Sequence, residues 1–140
     1  MNEYMYGDIE VGHKEQFSIR ITNEMMELFN IITDDNNPLH TDMTYAFEVG
    51  YPNRVVYGML TASFLSTLAG VYLPGKYSLI HDVSFSLPKP VFLGDELTIV
   101  GEVIDKIDTF KLIDLKVSIT NQDNKKVLRG SMRIGFLDGR

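Results

Sequence analysis

The chain has 140 residues, which suits one domain, and no cysteine, which excludes disulfides, thiolate metal sites and a cysteine nucleophile. Its formal net charge is −6 at pH 7 and its 13 Lys and Arg residues are scattered, which argues against a nucleic-acid partner. No apolar run approaches the roughly 20 residues of a membrane span and no signal-like pattern opens the chain, so a cytoplasmic protein without membrane contact is expected.

A strand followed by an amphipathic helix is predicted near the start of the chain. In FSIRIT, residues 17–22, apolar and polar side chains alternate as in a half-buried strand. The following helix is indicated by apolar residues at i, i+3, i+4 and i+7, namely Met25, Leu28, Phe29 and Ile32. Thr22 or Asn23 is placed to cap its first turn, and the helix ends at the polar stretch DDNNPLHTD, residues 34–42.

That polar stretch is predicted to form a stiff turn. Pro38 fixes its own φ angle and pushes Asn37 into an extended conformation, so the preceding helix does not continue to His40. A bend of this kind can direct the side chains of Asp35 and His40 at one point. A carboxylate and an imidazole that converge on one water form an acid/base pair able to work near neutral pH. The alternative is an Asx-rich helix terminus with no chemical role.

Metal binding is the other chemistry considered for this stretch, because His40 and Asp42 form an HxD pair with Asp35 nearby. A facial triad would need a second histidine, but His13 and His81 lie in unrelated segments. The glycine and the terminal glutamate of an EF-hand loop are also missing. No metal site is therefore expected. His13 is interpreted as a solvated residue and His81 as part of the sheet surface.

The segment YGMLTASFLSTLAGVYLPG, from Tyr57 to Gly75, is apolar nearly all round and predicts a helix buried on most of its faces. Four later segments are β-rich and are separated by short turn signals: SLIHDVSFSL, ELTIVGEVIDKI, FKLIDLKVSIT and KVLRGSMRIGFL. Long strands with short connections indicate an antiparallel sheet. Gly101, Gly130 and Gly135 suggest bulges or bends that let the sheet curl. The predicted architecture is α+β, with a curled antiparallel sheet around one central apolar helix.

Three ordered motifs resemble those of the MaoC-like hydratases, in particular the R-specific enoyl-CoA hydratases. DNNPLH, residues 35–40, matches the family signature D-x-N-P-[LIV]-H. The segment that begins YGM is similar to the family's HGM-containing central helix, and SFSLPKPVFLGDELT is similar to its F-x-x-PV-x-x-GD element. The resemblance covers essentially the whole chain, so residues 1–140 are interpreted as a single MaoC-like domain.

The resemblance implies a hot-dog fold, in which the sheet wraps the long helix, and a homodimer whose sheets join edge to edge. It also implies a hydro-lyase without cofactor that hydrates 2-enoyl thioesters or dehydrates R-3-hydroxyacyl thioesters. Asp35 and His40 match the catalytic pair that activates the water, and Gly58 matches the glycine whose N–H polarises the thioester carbonyl. Further residues are expected to shape the loop, contact substrate or line an acyl pocket: Asn37, Tyr57, Ser63 and Ser66.

Two positions depart from the family pattern. Asp34 stands where the family usually has glycine, and like-charge repulsion would weaken Asp35 as a base if the two carboxylates faced each other. Tyr57 stands where the hydratases commonly have histidine, so any supporting hydrogen bond from that position must be made by a phenol.

The carrier of the acyl group is left open between coenzyme A and an acyl carrier protein. The net charge of −6 favours coenzyme A, because carrier proteins are themselves acidic. Candidate contacts for the phosphates of coenzyme A are Arg54, Lys76 and Lys89, with none preferred. Two other functions remain as alternatives because one fold hosts several activities: a hot-dog acyl-CoA thioesterase, and a non-catalytic acyl-thioester binding protein.

Overall fold

The structure is a computed structural model that describes residues 1–140. Its strands are β1 (Lys14–Arg20), β2 (Ser78–Ser86), β3 (Glu96–Ile107), β4 (Leu112–Thr120) and β5 (Lys126–Phe136). Its α-helices are α1 (Asn23–Thr33), α2 (Pro38–Thr41), α3 (Met43–Glu48) and α4 (Gly58–Thr67). A π-helical turn continues α4, and a 3-10 turn lies near each end of the chain: Leu68–Tyr72, Tyr6–Asp8 and Leu137–Gly139. None of the helices combines the length and the apolar composition needed to cross a membrane.

The strands form one antiparallel sheet in the order β1-β3-β4-β5-β2. Alternate residues of β3 and β4 are buried, among them Ile99 and Leu115, which places one face of these strands in the core. The same core includes Leu65 and Leu68, and the π-helical turn lies against β1, β2 and β3. A Cβ on Gly101 would lie 2.9 Å from Leu68 Cδ2, so this glycine lets the helical segment approach β3 closely. The predicted antiparallel sheet around a central helix is confirmed.

The boundaries of α1 follow from local side-chain chemistry. Thr22 is its N-cap, since Thr22 Oγ1 accepts a hydrogen bond from the Met25 N–H at 3.2 Å. At the other end Asp34 adopts the left-handed conformation with φ 58° and donates its N–H to the Asn30 carbonyl at 2.7 Å. Glycine is the usual residue at such a position because it has no side chain to oppose a positive φ. The structure therefore explains why the family pattern has glycine where this chain has Asp34.

The apolar face predicted for α1 is only partly buried in the single chain. Leu28 and Ile32 are 52% and 78% exposed, whereas Met26 is 2% exposed. Met59 of α4 is 62% exposed as well, so the central helix has one open side. Leu28 and Ile32, two of the four apolar residues that indicated this helix, line an open groove between α1 and α4.

The strand glycines, which suggested bulges or bends, do not lie at the register shifts, and their role as bends stays a prediction. The register shifts lie at Ile80/Asp82, Val103/Asp105 and Ile119/Thr120. The glycines instead allow close approach: a Cβ on Gly130 would lie 2.8 Å from Phe85 Cα, and one on Gly135 would lie 2.6 Å from His81 Nε2. The shifts therefore occur where ordinary residues lie, and the glycines make room for neighbouring chain and rings.

Candidate active site

The loop between α1 and α2 holds Asp35 through its backbone. The Asp35 carbonyl accepts hydrogen bonds from Asn30 Nδ2 at 2.7 Å and from the Tyr57 hydroxyl at 2.8 Å. Asn30 Nδ2 also lies 3.2 Å from the Tyr57 hydroxyl oxygen, which completes a small network. Tyr57 is 2% exposed and Asp35 is exposed, so a buried phenol anchors the backbone while the carboxylate stays accessible. Any supporting hydrogen bond from the position of the usual histidine had to be made by a phenol, and the Tyr57 hydroxyl makes one.

Asn37 and Pro38 determine how the chain turns from Asp35 into α2. Asn37 is the N-cap, with its Oδ1 accepting the Leu39 N–H at 2.9 Å, and Pro38 occupies the first helical position, where no N–H is needed. Asp35 Oδ1 accepts the Asn37 N–H at 3.2 Å, an Asx turn that restrains the carboxylate. The stiff turn predicted from the proline is confirmed, although the sequence did not indicate the short helix after it.

His40 is held with one ring nitrogen directed into the protein. Its Nδ1 lies 2.6 Å from the Val55 carbonyl oxygen. Because a carbonyl can only accept, Nδ1 carries the proton, and in the neutral ring Nε2 is the nitrogen with the free lone pair. The ring packs on Tyr57, with centroids 4.2 Å apart and planes 30° apart. Tyr57 thus contacts both members of the predicted pair, through its hydroxyl to Asp35 and through its ring to His40.

Gly58 is the first residue of α4, immediately after Tyr57. The first N–H groups of a helix have no intrahelical acceptor, and the Tyr57 side chain does not cap this helix. The helix start also carries the positive end of the macrodipole, which favours a negatively charged or polarised oxygen. A Cβ on Gly58 would lie 2.6 Å from Leu87 Cδ1, so the space beside this backbone is already filled on one side.

The catalytic residues predicted from the sequence line one small cavity of about 140 Å³. Asp35, His40, Tyr57 and Gly58 contribute to its wall. The remaining wall is mostly apolar and comprises Phe29, Thr33 and Met59. The cavity has the volume of a few water molecules, at about 30 Å³ for each in the liquid. A carboxylate, an imidazole with a free nitrogen and an uncapped helix start therefore meet around a space that holds a small reacting group.

The two serines predicted to line an acyl pocket lie outside that cavity. Ser63 is exposed and donates its hydroxyl to the Leu60 carbonyl at 2.6 Å. It lines the open groove between α1 and α4, of about 320 Å³, with Met25, Leu28, Phe29, Ile32, Leu60 and Phe64. Ser66 is exposed and does not line this groove. Phe29 is shared by the groove and the small cavity, so the two spaces adjoin.

The remaining polar candidates from the sequence have separate positions. Asp42, the second residue of the HxD pair, caps α3 by accepting the N–H groups of Thr44 and Tyr45 at 2.9 and 3.2 Å. His13 pairs with Glu15, with 3.2 Å between Nε2 and Oε1. His81 is exposed and lies on β2, as expected for a residue of the sheet surface.

The three basic candidates differ in their distance from His40. Arg54 donates from Nη1 to the His40 carbonyl at 3.4 Å and also bonds the Asn23 side chain. Lys89 lines a second cavity that His40 and Gly58 also border. Lys76 pairs with Glu3 at 3.1 Å, outside both cavities.

Sequence reasoning missed two residues that organise the site. Asn30 supports Asp35 from the last turns of α1, and Val55 supplies the carbonyl that sets the His40 tautomer. A polar residue at the last turn of an otherwise apolar helix face was a signal for Asn30. No signal in the sequence indicated the Val55 carbonyl, because every residue type carries the same backbone acceptor.

Comparison with known proteins gives concordant results. The family model described as a MaoC like domain matches residues 8–125. The (R)-specific enoyl-CoA hydratase of Aeromonas caviae is 41% identical over 95 residues, which is 68% of this chain and 71% of that protein. A solved (R)-hydratase from A. caviae superimposes with a TM-score of 0.88 at 34% identity, over 91% of this chain and 97% of that chain. An unliganded R-hydratase from Pseudomonas aeruginosa gives a TM-score of 0.90 at 28% identity, over 95% of this chain and 85% of that chain. The predicted hot-dog fold is thereby confirmed.

Proposed function

Since the chain belongs to the MaoC-like domain family, we propose that it is a hydro-lyase of the R-specific enoyl-CoA hydratase type. It adds water to a 2-enoyl thioester, or removes water from an R-3-hydroxyacyl thioester. The observation that carries this proposal is the cavity of about 140 Å³ in which Asp35, His40 and Gly58 meet. The direction in the cell follows the concentrations of the two thioesters.

Gly58 has the role of stabilising charge on the substrate. Addition of water across a double bond conjugated to a thioester builds negative charge on the carbonyl oxygen. A preorganised N–H at the start of α4 stabilises that charge without reorganisation during the reaction. The absence of a side chain on Gly58 lets the thioester come against the backbone, where Leu87 already limits the space.

Asp35 and His40 move the protons. Nε2 of His40 has its lone pair available because Nδ1 donates to the Val55 carbonyl. Asp35 accepts one hydrogen bond from the Asn37 N–H, so its carboxylate keeps capacity to hold a water. The pair takes one proton from water as its oxygen attacks C3 and delivers one proton to C2, so atoms and charge balance over the reaction.

The groove between α1 and α4 is the proposed site of the acyl chain. It adjoins the reacting cavity at Phe29, its wall is apolar apart from Ser63, and its volume of about 320 Å³ accommodates several methylene groups. The Ser63 hydroxyl donates its hydrogen bond to the Leu60 carbonyl, so it presents little polarity to an acyl chain. A substrate-binding role for Ser66 stays a prediction.

The exposed surfaces support a homodimer. Strand β2 is an edge of the sheet, most of its residues are exposed, and Leu79 and Val83 are 48% and 41% exposed. An unpaired edge with apolar side chains favours pairing with a second strand, and a twofold axis presents the same strand of a second copy. A dimer through β2 would extend the sheet. Light scattering on the purified protein measures the mass, and a monomer at micromolar concentration would contradict this arrangement.

Hydration of crotonyl-CoA tests the proposed function. The conjugated enoyl-thioester absorbance is followed with the wild type, Asp35→Asn and His40→Ala, and free thiol is assayed in parallel. Loss of absorbance without thiol, abolished in both variants, is the expected result. Thiol release would identify a thioesterase, and tight binding of butyryl-CoA with no turnover of any enoyl chain length would identify a binding protein.

Two finer points belong to the same experiment. Crotonyl-CoA and a crotonylated acyl carrier protein are compared at equal concentration, with coenzyme A expected as the better carrier because the chain has a net charge of −6. The expected cytoplasmic location stays a prediction, which fractionation of the source cells would check.

A further inference from the structure

Thr61 holds the one buried side-chain oxygen or nitrogen of the chain that has no hydrogen-bond partner. The residue is 1% exposed and lies in α4. Its backbone N–H donates to the Tyr57 carbonyl at 3.1 Å, but its hydroxyl is left unpaired. A buried hydroxyl without a partner within the protein is costly, so such a group calls for a water or a bound ligand as its partner.

Thr61 lines a cavity of about 250 Å³ that is separate from the one containing Asp35. His40 and Gly58 border both cavities. The rest of this wall contains Leu87, Lys89, Pro90 and four buried valines. Thr61 thus adds an unpaired hydroxyl to a space that His40 and Lys89 also line and that opens from the proposed oxyanion site.

The position of Thr61 on α4 brings its side chain back toward Gly58. The two residues are three apart, so they lie on one face of the helix, where such neighbours have Cβ atoms about 5–6 Å apart. Helical side chains lean toward the amino terminus of their helix, over the preceding turn. A group bound just beyond the Gly58 N–H therefore lies on the helix face that carries Thr61.

The chemistry of the substrate assigns the two cavities to its two ends. The double bond that takes up water must lie beside Asp35, and the thioester carbonyl must lie beside Gly58. Beyond the carbonyl, the substrate continues through the sulfur and two methylene groups to the first amide of the pantetheine arm. The cavity that borders Gly58 but not Asp35 is the space available for that arm, and exposed Lys89 on its wall suits the phosphates at the far end of the arm.

We infer that the Thr61 hydroxyl hydrogen-bonds an amide of the pantetheine arm and so positions the thioester against Gly58. This inference rests on the proposed function for the location of the thioester. It holds for coenzyme A and for a carrier protein alike, because both present the same arm. A hydroxyl both donates and accepts, so it can pair with the amide N–H or with its carbonyl.

The variants Thr61→Val and Thr61→Ser test the inference. Valine has the same shape without the hydroxyl, and serine keeps the hydroxyl. With crotonyl-CoA, Thr61→Val is expected to raise KM about three- to tenfold with kcat nearly unchanged, the size of one lost hydrogen bond, while Thr61→Ser stays close to the wild type. The melting temperature of the ligand-free Thr61→Val protein is expected to equal or exceed that of the wild type, because an unpaired hydroxyl is removed.

A substrate without amides separates the arm from the carbonyl as the partner of Thr61. With the S-ethyl thioester of crotonic acid, kcat/KM is expected to be the same for Thr61→Val and the wild type. Equal losses on both substrates would assign the hydroxyl to the thioester carbonyl and overturn the inference. A lower melting temperature with unchanged kinetics would overturn it too, because it would show a purely structural role.

Binding of butyryl-CoA, which has no double bond to hydrate, keeps the inference distinct from the proposed function. Titration calorimetry is expected to give a Kd about three- to tenfold weaker for Thr61→Val than for the wild type. Wild-type hydration of crotonyl-CoA with no change in this Kd would refute the role of Thr61 alone. Absence of hydration with a weaker Kd would refute the proposed reaction and leave the arm contact standing.

Discussion

Two cavities of this chain are each lined by a histidine and at least one carboxylate, and they differ in what holds those groups. The larger, of about 630 Å³, contains His81, Asp82, Asp114 and Arg133. There both oxygens of Asp114 accept hydrogen bonds from Arg133, at 2.8 and 2.9 Å. The smaller, of about 140 Å³, contains His40 and Asp35, whose carboxylate accepts only one backbone N–H. Size therefore favours one cavity, and the helix start at Gly58 beside the histidine and the carboxylate favours the other.

The orientation of the two rings adds to this contrast. The Val55 carbonyl fixes the tautomer of His40 and leaves Nε2 free beside a helix start. The ring of His81 lies over Gly135 on the exposed side of the sheet, with no helix start on its cavity wall. A catalytic site needs groups that are held in place and still unpaired. Such a difference is visible in hydrogen bonds and not in cavity volume.

The largest expected effect separates the two histidines directly. His40→Ala should lower kcat for crotonyl-CoA hydration by about 10²–10⁴-fold, because the acid/base group is lost. His81→Ala, the matched control, should leave kcat within about twofold and the melting temperature nearly unchanged, because this side chain is exposed. Comparable losses in the two variants would abolish the distinction between the cavities.

Two glycines give the next comparison, because a Cβ at either one would meet a side-chain atom at 2.6 Å. Gly58→Ala would press on Leu87 Cδ1, and Gly135→Ala on His81 Nε2. Both contacts involve the ends of flexible side chains, so similar small losses of melting temperature are expected. Only Gly58→Ala should lower kcat/KM, by about 10²-fold, because the added methyl displaces the thioester from the backbone N–H.

A double variant separates packing from catalysis at Gly58. Leu87→Ala removes the atom that the new methyl would meet, so Gly58→Ala/Leu87→Ala should regain melting temperature relative to Gly58→Ala. If kcat/KM also returned to the level of Leu87→Ala alone, the loss in Gly58→Ala would be a packing effect, and Gly58 would have no special role in approach of the substrate.

Much of the fold was accessible from the sequence because its signals are local. Period-two alternation in FSIRIT predicted β1, the β-rich composition of ELTIVGEVIDKI predicted β3, and Pro38 predicted the break after α1. The exposure of Leu28 could not be predicted from the sequence. Apolar spacing identifies an apolar helix face but not the surface that covers it. The same spacing arises for a face buried in one chain and for a face that meets a second copy.

The candidate site was accessible where residue type carries the chemistry, as for Asp35 and His40. It was not accessible where geometry carries it. Asp34 replaces the glycine of the family pattern, and from the sequence this charge could have weakened Asp35 as a base. In the structure Asp34 has a left-handed φ angle, which depends on where α1 ends. The unpaired hydroxyl of Thr61 depends on what surrounds it, and a threonine in an apolar helix has many innocuous explanations. Such features need coordinates.

A smaller effect on kcat is expected for one of two buried tyrosines whose hydroxyls each hydrogen-bond another residue. Tyr57→Phe removes the hydrogen bond to the Asp35 carbonyl, and Tyr6→Phe removes the one to Asp108 Oδ1 at 2.6 Å. Both variants should lose about 1–3 kcal/mol of unfolding free energy, measured by urea denaturation. Only Tyr57→Phe should also lower kcat, by about two- to tenfold, because the loop that carries Asp35 is loosened. Equal kcat in the two variants would make Tyr57 a packing residue only.

The smallest effect concerns the engaged carboxylate of the larger cavity and depends on pH. Hydrogen bonds from the Arg133 guanidinium hold the pKa of Asp114 below its usual value, so the folded state favours the ionised form. The resulting stability is fully present above the unfolded pKa of about 3.9 and is lost as the pH falls through the lower folded value. Asp114→Asn should therefore lower the melting temperature by about 1–3 °C at pH 7, with the gap closing below about pH 4.

That pH series also tests whether the larger cavity is a bystander to the reaction. The pair is partly exposed, so added salt should narrow the difference between Asp114→Asn and the wild type at pH 7. The kcat of Asp114→Asn should match that of the wild type at every pH where both are folded, since its effect is confined to stability. A change in kcat beyond about twofold, well above the effect of an ordinary surface substitution, would connect the Asp114–Arg133 pair to the site at His40.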